Sequence, residues 1–211
     1  MRLHTFFRSS AAYRVRIGLN LKGLAAEMVP VHLRRNEQHS VDFARTNPQH
    51  FVPALEDGPA VLTQSLAILE YLEETHPEPP LLPPDPVGRA RVRALALAIA
   101  CDIHPLNNLR VLRYLQKDLA LDEPARDAWA RHWIEEGFAA IEAMLREGPA
   151  GAFCHGDAPT LADVCLVPQV ANAHRVTTDL SPYPIIRRID ETCRGLPAFA
   201  AAAPGNQPDA E

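Results

Sequence analysis

A proline-rich segment at residues 77–86 constrains the fold of this chain more than any other feature of its sequence. The segment reads PEPPLLPPDP, with a Leu-Leu pair between two groups of prolines. Because proline fixes φ and lacks a backbone N–H, such a stretch cannot continue a helix and is expected to be extended. It divides the chain into two predicted domains, residues 1–80 and residues 87–211.

The part before this segment alternates between strand and helix patterns. Alternating polar and apolar residues predict strands, and apolar residues three and four positions apart predict helices. The predicted elements, in order, are a strand at 2–7, a helix at 11–22 ending at Gly23, a strand at 27–33 placed at a sheet edge by Pro30, a short helix at 40–46, strands at 52–55 and 60–63 joined by Glu56-Asp57-Gly58, and a helix capped by Ser65. This order is βαβα–ββα.

The part after the segment shows helical patterns only. Residues 88–117 form a long helical pattern that Pro105 should break near Ile103-His104. Further helices are predicted at 123–147 and 184–194, and Thr160 with Asp163 has the spacing of a capping box that opens another. We therefore expect an α/β domain followed by an all-α domain.

Composition and charge exclude several classes of protein. The chain has 211 residues and a formal net charge of −5, which excludes a nucleic-acid binder that depends on neutralising phosphates. Its 47% of hydrophobic residues can build a core, but no apolar run is long enough for a membrane span. The start MRLHTFFRSS is too short and too polar for a signal peptide, and the four cysteines lack zinc-ligand spacing. We expect a cytosolic protein with reduced, mostly buried thiols and no metal.

Two serines stand where the first strand should turn into the first helix. Backbone N–H groups at a helix N-terminus attract anions, and a hydroxyl there can donate a hydrogen bond to one. Ser9 or Ser10 is therefore a candidate to stabilise a thiolate or a carboxylate. The alternative is that one of them is simply the N-cap residue.

Two further motifs stand at the start of a strand and of a helix. Pro53 opens a strand after Asn47, and a cis peptide there would leave the backbone of Val52 able to pair with an extended peptide ligand. Gln64-Ser65 stands at the next helix N-terminus, where N–H groups and a hydroxyl can hold a carboxylate. Taken singly, Asn47 is explained by a turn and Ser65 by a cap.

Together, and in this order of elements, these motifs resemble those of the glutathione transferase family. Ser9-Ser10-Ala11-Ala12-Tyr13-Arg14-Val15-Arg16 is similar to the zeta-class signature Ser-Ser-Cys-x-x-Arg-Val-Arg. The resemblance covers nearly the whole chain. It also includes Asn47-Pro48, Val52-Pro53, residues 64–68, Leu81-Leu82-Pro83, residues 101–110, Leu161-Ala162-Asp163, residues 166–170, Ala173-His174-Arg175, Pro182-Tyr183-Pro184 and Gln207-Pro208-Asp209.

The resemblance implies a thioredoxin-like amino-terminal domain, a helical carboxyl-terminal domain and a cytosolic homodimer with glutathione as cofactor. Zeta-class members are typically maleylacetoacetate isomerases of tyrosine and phenylalanine catabolism, and a bacterial relative is the maleylpyruvate isomerase of gentisate degradation. Their implied substrate is a small dicarboxylate, with no nucleic acid or membrane as partner. The implied chemistry is addition of the glutathione thiolate to a conjugated double bond, rotation about the single bond and expulsion of the thiolate.

The resemblance also implies roles for individual residues. Ser9 or Ser10 would lower the pKa of the glutathione thiol, and Arg8, Arg110 and Arg175 would hold substrate carboxylates and developing charge. His104, Asn107 and Asn108 have a spacing that would place them on one helical face, and Gln38, with His39, is expected near the glycine end of glutathione. The implied glutathione-binding set is Ser9, Ser10, Gln38, Val52, Pro53, Gln64, Ser65, His104, Asn107 and Asn108.

Two departures from the family pattern bear on the chemistry. Ala11 stands where many members have a cysteine, so the resemblance gives no support for a catalytic protein thiol. Leu109 stands where a maleylpyruvate isomerase has a second arginine before Arg110, which favours maleylacetoacetate as substrate. A general glutathione transferase or peroxidase, which would keep the conjugate, and a non-catalytic binding module are the alternatives. The sequence leaves open which serine contacts the sulfur.

Overall fold

Contacts in the computed structural model, which describes residues 1–211, divide the chain into two units. The first unit comprises Met1–Leu81 together with Gly195–Glu211, and the second comprises Leu82–Arg194. The predicted boundary at the proline-rich segment therefore falls where the first unit passes into the second. The last residues of the chain, which the sequence groups with the helical part, pack instead with the first unit.

The first unit is built on a four-stranded mixed sheet. Its elements are β1 (Arg2–Thr5), α1 (Ser10–Leu21), β2 (Glu27–Pro30), α2 (Val41–Thr46), β3 (Ala54–Asp57), β4 (Ala60–Thr63) and α3 (Ser65–Thr75). The strand order is β2-β1-β3-β4, with β1 and β2 parallel and the other pairs antiparallel. The predicted βαβα–ββα order is confirmed, and Pro30 does lie on an edge strand, where its missing N–H breaks no ladder.

Helices α1 and α3 cover one face of this sheet. Their apolar stripes meet the sheet in a buried cluster of Leu3, Val15, Leu19, Leu55, Ile68 and Leu72. A Cβ atom at Gly18 would collide with the side chain of Leu69, so the two helices pack closely at that point. Successive strand residues point to opposite faces, and His4 accordingly meets Phe43 of α2 on the other face, with ring centroids 5.6 Å apart. This packing fixes the N-termini of α1 and α3.

The second unit is helical. Its helices are α4 (Pro86–Leu97), α5 (Leu109–Lys117), α6 (Glu123–Glu147), α7 (Leu161–Arg175) and α8 (Pro184–Arg194). The predicted break at Pro105 is confirmed: a π-helical turn at Ala98–Ile103 and a 3-10 turn at His104–Asn107 separate α4 from α5. The capping box of Thr160 and Asp163 is also confirmed at the start of α7.

Helix α9 (Pro197–Ala202) belongs to the first unit, where it packs on α1. Asn20 of α1 donates a hydrogen bond from Nδ2 to Ala198 O at 2.9 Å, and the Tyr13 hydroxyl donates to Phe199 O at 3.4 Å. None of the helices in the chain is long and apolar enough to cross a bilayer.

Candidate active site

Ser9 and Ser10 lie where the loop after β1 enters α1. Ser9 is the N-cap residue: its Oγ accepts a hydrogen bond from Ala12 N at 3.2 Å, and its own N–H donates to Phe6 O at 2.9 Å. Ser10 is the first helical residue and is buried. Because Ser9 Oγ accepts from the backbone, its hydroxyl hydrogen is left to donate to an anion. A capping role and an anion-binding role are therefore compatible at Ser9.

Gln64 and Ser65 lie at the start of α3. The prediction that Ser65 is the cap is wrong by one residue, because Gln64 takes the N-cap position with φ of 69° and Ser65 is the first helical residue. The Nε2 of Gln64 donates to Gln49 Oε1 at 2.8 Å. The unpaired N–H groups and the dipole of this helix end favour a bound carboxylate.

The buried side chain of Arg14 forms a hydrogen bond with Ser65. Its guanidinium is buried within α1, and Nη1 donates to Ser65 Oγ at 3.3 Å. A guanidinium only donates, so Ser65 Oγ is the acceptor in this bond and its hydrogen can point to a ligand. No role was predicted from the sequence for Arg14 or Gln49. The signal for Arg14 was a charged residue inside an otherwise apolar helix pattern.

Val52 and Pro53 precede β3 and are joined by a cis peptide bond. The pairing registers of β3 begin at Ala54, so Val52 lies outside the sheet. Asn47 shapes the approach to it: Nδ2 donates to Phe51 O at 2.8 Å, and Oδ1 accepts from Gln49 N at 3.0 Å. These contacts hold the turn that leads to Val52, where an extended ligand is predicted to pair.

Gln38 lies in a 3-10 turn at Glu37–His39 and is buried. Its backbone oxygen accepts from Nδ1 of His50 at 2.9 Å, and the rings of His39 and His50 contact each other at a tilt of 44°, with centroids 4.7 Å apart. Its side-chain Oε1 is buried without a hydrogen-bond partner in the structure. A buried acceptor without a partner lowers the stability of the folded protein, and an N–H group of a ligand would satisfy it.

His104, Asn107 and Asn108 do not share one regular helical face, and that prediction is wrong. Asn107 ends the 3-10 turn, while Asn108 is the extended N-cap of α5, with φ −70° and ψ 149°. The reason is Pro105, which cannot continue the helical hydrogen bonding. His104 Nε2 and Asn108 Nδ2 still lie 3.4 Å apart, and Asn108 Oδ1 accepts from Arg110 N at 3.0 Å.

Arg110 and Arg175 stand at opposite ends of their helices. Arg110 is exposed in the first turn of α5, and Arg175 is the last residue of α7. Arg175 Nη2 donates to Asn172 Oδ1, and Asn172 Nδ2 donates to Gln169 Oε1 at 3.4 Å. Both amides are buried, so they can orient the guanidinium. This pair of amides was not predicted, although their spacing of three along an apolar helix was visible in the sequence.

The donors of the first unit fit glutathione, an extended tripeptide with a thiol and two carboxylates. The Ser9 hydroxyl suits the thiolate, and Arg8 lies half-buried beside it. The α3 N-terminus with Ser65 suits a carboxylate, and the buried Oε1 of Gln38 needs an N–H donor. The cysteines offer no comparable thiol: Cys154, Cys165 and Cys193 are buried, and only Cys101 is exposed.

Comparisons with known proteins agree with this geometry. Residues 1–74 match the model for the glutathione S-transferase N-terminal domain, and residues 111–200 match that for the C-terminal domain. A probable maleylacetoacetate isomerase of Vibrio cholerae is 53% identical over 99% of this chain and 97% of its own length.

Two solved structures are similar over the whole chain. A maleylpyruvate isomerase, described as a bacterial glutathione S-transferase of the zeta class, has 52% identity and a TM-score of 0.99, with both chains fully covered. A maleylacetoacetate isomerase from Anaeromyxobacter dehalogenans, solved with glutathione in its active site, has 51% identity and a TM-score of 0.90, covering 100% of this chain and 97% of its own. The chain therefore belongs to the glutathione transferase family, in its zeta class.

Proposed function

We propose that this protein is a glutathione-dependent cis–trans isomerase that converts maleylacetoacetate to fumarylacetoacetate. The observation that carries the proposal is the full-length similarity, at 53% and 52% identity, to isomerases of maleyl diketo acids. The donor set of the first unit supports it, because it fits the cofactor that such an isomerase needs.

Bound glutathione supplies a thiolate that adds to the conjugated double bond and leaves again, so it is regenerated in each turnover. A free thiol has a pKa of about 8.5 and is mostly protonated at neutral pH. The Ser9 hydroxyl and the N-terminus of α1 favour the thiolate by donating to it and by placing positive potential beside it. With Ala at position 11, the protein supplies no cysteine thiol at this helix end.

The remaining contacts of the first unit would hold glutathione in place. Ser65, supported by Arg14, and Gln64 would bind the γ-glutamyl carboxylate at the α3 N-terminus. The Val52 backbone would pair with the cysteinyl residue, as an added strand pairs with a sheet edge. Gln38 would accept from a peptide N–H. In the second unit, His104, Asn107 and Asn108 are further candidates for binding the cofactor.

Arg8, Arg110 and Arg175 would bind the substrate. The diketo acid carries two carboxylates, and its carbonyl oxygens gain negative charge when the thiolate adds. Guanidinium groups bind such oxygens with charge-assisted hydrogen bonds, which stabilise most where charge develops. The buried amides of Asn172 and Gln169 would keep the Arg175 guanidinium in one orientation.

Maleylpyruvate is the second candidate substrate, favoured by the TM-score of 0.99 to a maleylpyruvate isomerase. Leu109 favours maleylacetoacetate, because it removes an arginine expected beside Arg110 for the other substrate. A general glutathione transferase would form the same thiol adduct but release it. Such an enzyme has less need of arginines, since its usual substrates are apolar.

We also propose a location, an oligomeric state and a pathway for the enzyme. It would act in the cytosol, as a homodimer, in the catabolism of tyrosine and phenylalanine. The support for these points is the family resemblance of the sequence. Light scattering of the purified protein would test the dimer.

An absorbance assay with both substrates tests the proposal. We expect many turnovers per glutathione, a trans product without loss of free thiol, and a higher kcat/KM for maleylacetoacetate than for maleylpyruvate. Omitting glutathione should abolish turnover. A stable conjugate formed one-for-one with glutathione would instead show a transferase, and the opposite substrate order would show a maleylpyruvate isomerase.

A further inference from the structure

The carboxyl-terminal segment Gly195–Glu211 packs within the first unit, beside the loop that joins β1 to α1. This loop, Phe6–Ser9, carries the residues proposed to bind the thiol. No residue of the segment takes part in the proposed function, and only its Gln207-Pro208-Asp209 motif belongs to the family resemblance. Its contacts with the loop involve two charged side chains, Asp209 and Arg16.

Arg16 lies inside the first unit and bonds almost entirely to backbone oxygens. Its guanidinium is buried in α1 and donates to Phe7 O at 3.1 Å, to Phe6 O at 3.4 Å and to Ala202 O at 3.0 Å. A fourth bond goes to Thr5 Oγ1 at 2.9 Å. One side chain thus ties the β1–α1 loop to the end of α9. Burial lowers the pKa of Arg16 to about 10, so it still carries its charge at neutral pH.

Asp209 also binds Phe7, at its backbone N–H, whereas Arg16 binds its carbonyl oxygen. Its Oδ2 accepts a hydrogen bond from Phe7 N at 2.9 Å, and its charge acts on the Arg16 guanidinium. Phe7 therefore has its N–H bound by a carboxylate and its C=O bound by a guanidinium. We call this pair of contacts the Phe7 clamp. The other ionisable group near Arg16 is Tyr13, whose ring lies 5.4 Å from the guanidinium carbon.

The tail is itself anchored, which allows Asp209 to act as a fixed acceptor. Gln207 Nε2 donates to Ala201 O and Ala203 O, both at 2.9 Å. At the last residue, Glu211 pairs with His32 and Arg35, each at 2.9 Å. These contacts offset the entropy that a free chain end would lose on ordering.

We propose that Asp209 and Arg16 are positioning residues, whose clamp on Phe7 sets the place of the Ser9 hydroxyl and of the α1 N-terminus. Phe7 is two residues before Ser9, and Ser9 N–H donates to Phe6 O within the same loop. A shift of the Phe7 peptide therefore moves the group that donates to the thiolate. This inference rests on the proposed function, since it takes the thiol to lie at that helix end.

Hydrogen exchange tests the clamp on the protein without ligand. In the wild type, the Phe7 amide should be protected like a strand amide. In Asp209→Ala, peptides covering residues 5–13 should exchange at least about tenfold faster, while those of the β3–β4 hairpin should be unchanged. Asp209→Asn retains an oxygen that can accept from Phe7 N–H, so it should recover most of the protection.

Ionisation of bound glutathione tests the consequence. Thiolate absorbance against pH should show a thiol pKa about 0.5 to 1 unit higher in Asp209→Ala than in the wild type, and kcat/KM near neutral pH should fall about three- to tenfold. Glu211→Gln is the matched control: it removes a negative charge two residues further along the same tail but keeps the side-chain oxygen that accepts from His32 and Arg35, so the tail stays anchored and both quantities should stay at wild-type values.

The outcomes separate this inference from the proposed function. An unprotected Phe7 amide in the wild type would overturn the clamp, whether or not any variant folds. So would a folded Asp209→Ala with wild-type exchange and thiol pKa, or an Asn variant that recovers neither. If the wild type shows no glutathione-dependent isomerisation, the proposed function fails, while the exchange data still decide whether the clamp exists.

Discussion

At the scale of single residues, the two adjacent serines at the start of α1 have different environments. Ser9 caps the helix with its Oγ and keeps a hydroxyl hydrogen for donation, whereas Ser10 is already helical and buried. The sequence placed both at the helix start but could not rank them, because the N-cap position is defined by backbone geometry that varies by a residue or two. We therefore propose Ser9, rather than Ser10, as the donor to the thiolate.

Ser9→Gly tests this assignment with little damage to the fold. Glycine is a tolerated N-cap residue, so helix stability should fall by only a few tenths of a kcal/mol. Loss of a hydrogen bond to a charged acceptor costs about 1.5–3 kcal/mol, which predicts a roughly ten- to hundredfold fall in kcat/KM and a higher pKa for the bound thiol. Steady-state kinetics and thiolate absorbance measure both.

Ser10→Ala is the control for Ser9→Gly, since it also removes one hydroxyl from the same turn. We expect its kcat/KM to stay within about threefold of the wild type. If Ser10→Ala instead shows the larger loss and the larger rise in thiol pKa, the two serines exchange roles.

At the scale of elements, local signals in the sequence predicted the helices well, and long-range contacts account for what they missed. Helix α6 runs over Glu123–Glu147 as predicted, and Thr160 and Asp163 cap α7. Helix α8 also has its predicted bounds, Pro184–Arg194, but the source of its cap was not predicted. Its N–H groups at Ile185 and Ile186 donate to the buried Glu142 carboxylate, both at 3.0 Å. A cap supplied by a distant helix leaves no mark in the local pattern.

The residues of the candidate site also fall into those that local sequence signals indicate and those that only long-range contacts reveal. Ser9, Val52, Gln64 and Ser65 could be proposed as site residues because they lie at element boundaries, which turn and cap residues mark in the sequence. Their supports were missed. Arg14 of α1 donates to Ser65 of α3, and Asp209, near the carboxyl terminus, accepts from Phe7 N–H. Such contacts depend on the packed fold, and no periodicity in the sequence encodes them.

Helix α8 also carries a carboxylate that costs stability at neutral pH. Burial raises the pKa of Asp190 from 3.8 to about 6, despite Arg194 at 3.3 Å and the nearby His174, which both favour the ionised form. A raised carboxyl pKa means that the folded state binds the proton more tightly than the unfolded state. Stability therefore falls as pH rises from about 4 to about 6, and stays lower above that.

Asp190→Asn should therefore stabilise the protein above pH 6. The shift from 3.8 to about 6 corresponds to about 3 kcal/mol at 1.36 kcal/mol per unit, so we expect a gain of about 2 to 3 kcal/mol at pH 7.5 and a much smaller one at pH 4.5. Chemical denaturation at both pH values measures it. Glu147→Gln, which removes an exposed carboxylate from α6, should show no such gain. A gain for Asp190→Asn that is equal at both pH values would contradict the ionisation argument.

At the scale of the whole molecule, the protein and its proposed substrate both carry a negative net charge and repel each other. The chain carries −5 at pH 7, and the substrate is a dicarboxylate. Repulsion at long range is screened within about 8 Å in physiological salt, so binding must come from local cations. Arg175 is the best supported of these, because the buried amides of Asn172 and Gln169 orient its guanidinium.

Arg175→Ala should separate substrate binding from cofactor binding. A charge-assisted bond is worth about 1.5–3 kcal/mol, so kcat/KM for the diketo dicarboxylate should fall roughly ten- to hundredfold while the glutathione Kd stays unchanged. Arg175→Lys should recover little, because an ammonium cannot reproduce the planar guanidinium fork. Activity toward an electrophile without carboxylates should fall far less, and Arg188→Ala, which removes an exposed arginine from α8, should alter neither substrate. Equal losses on both substrates would mean that Arg175 supports the fold or the cofactor, and its role in substrate binding would have to be abandoned.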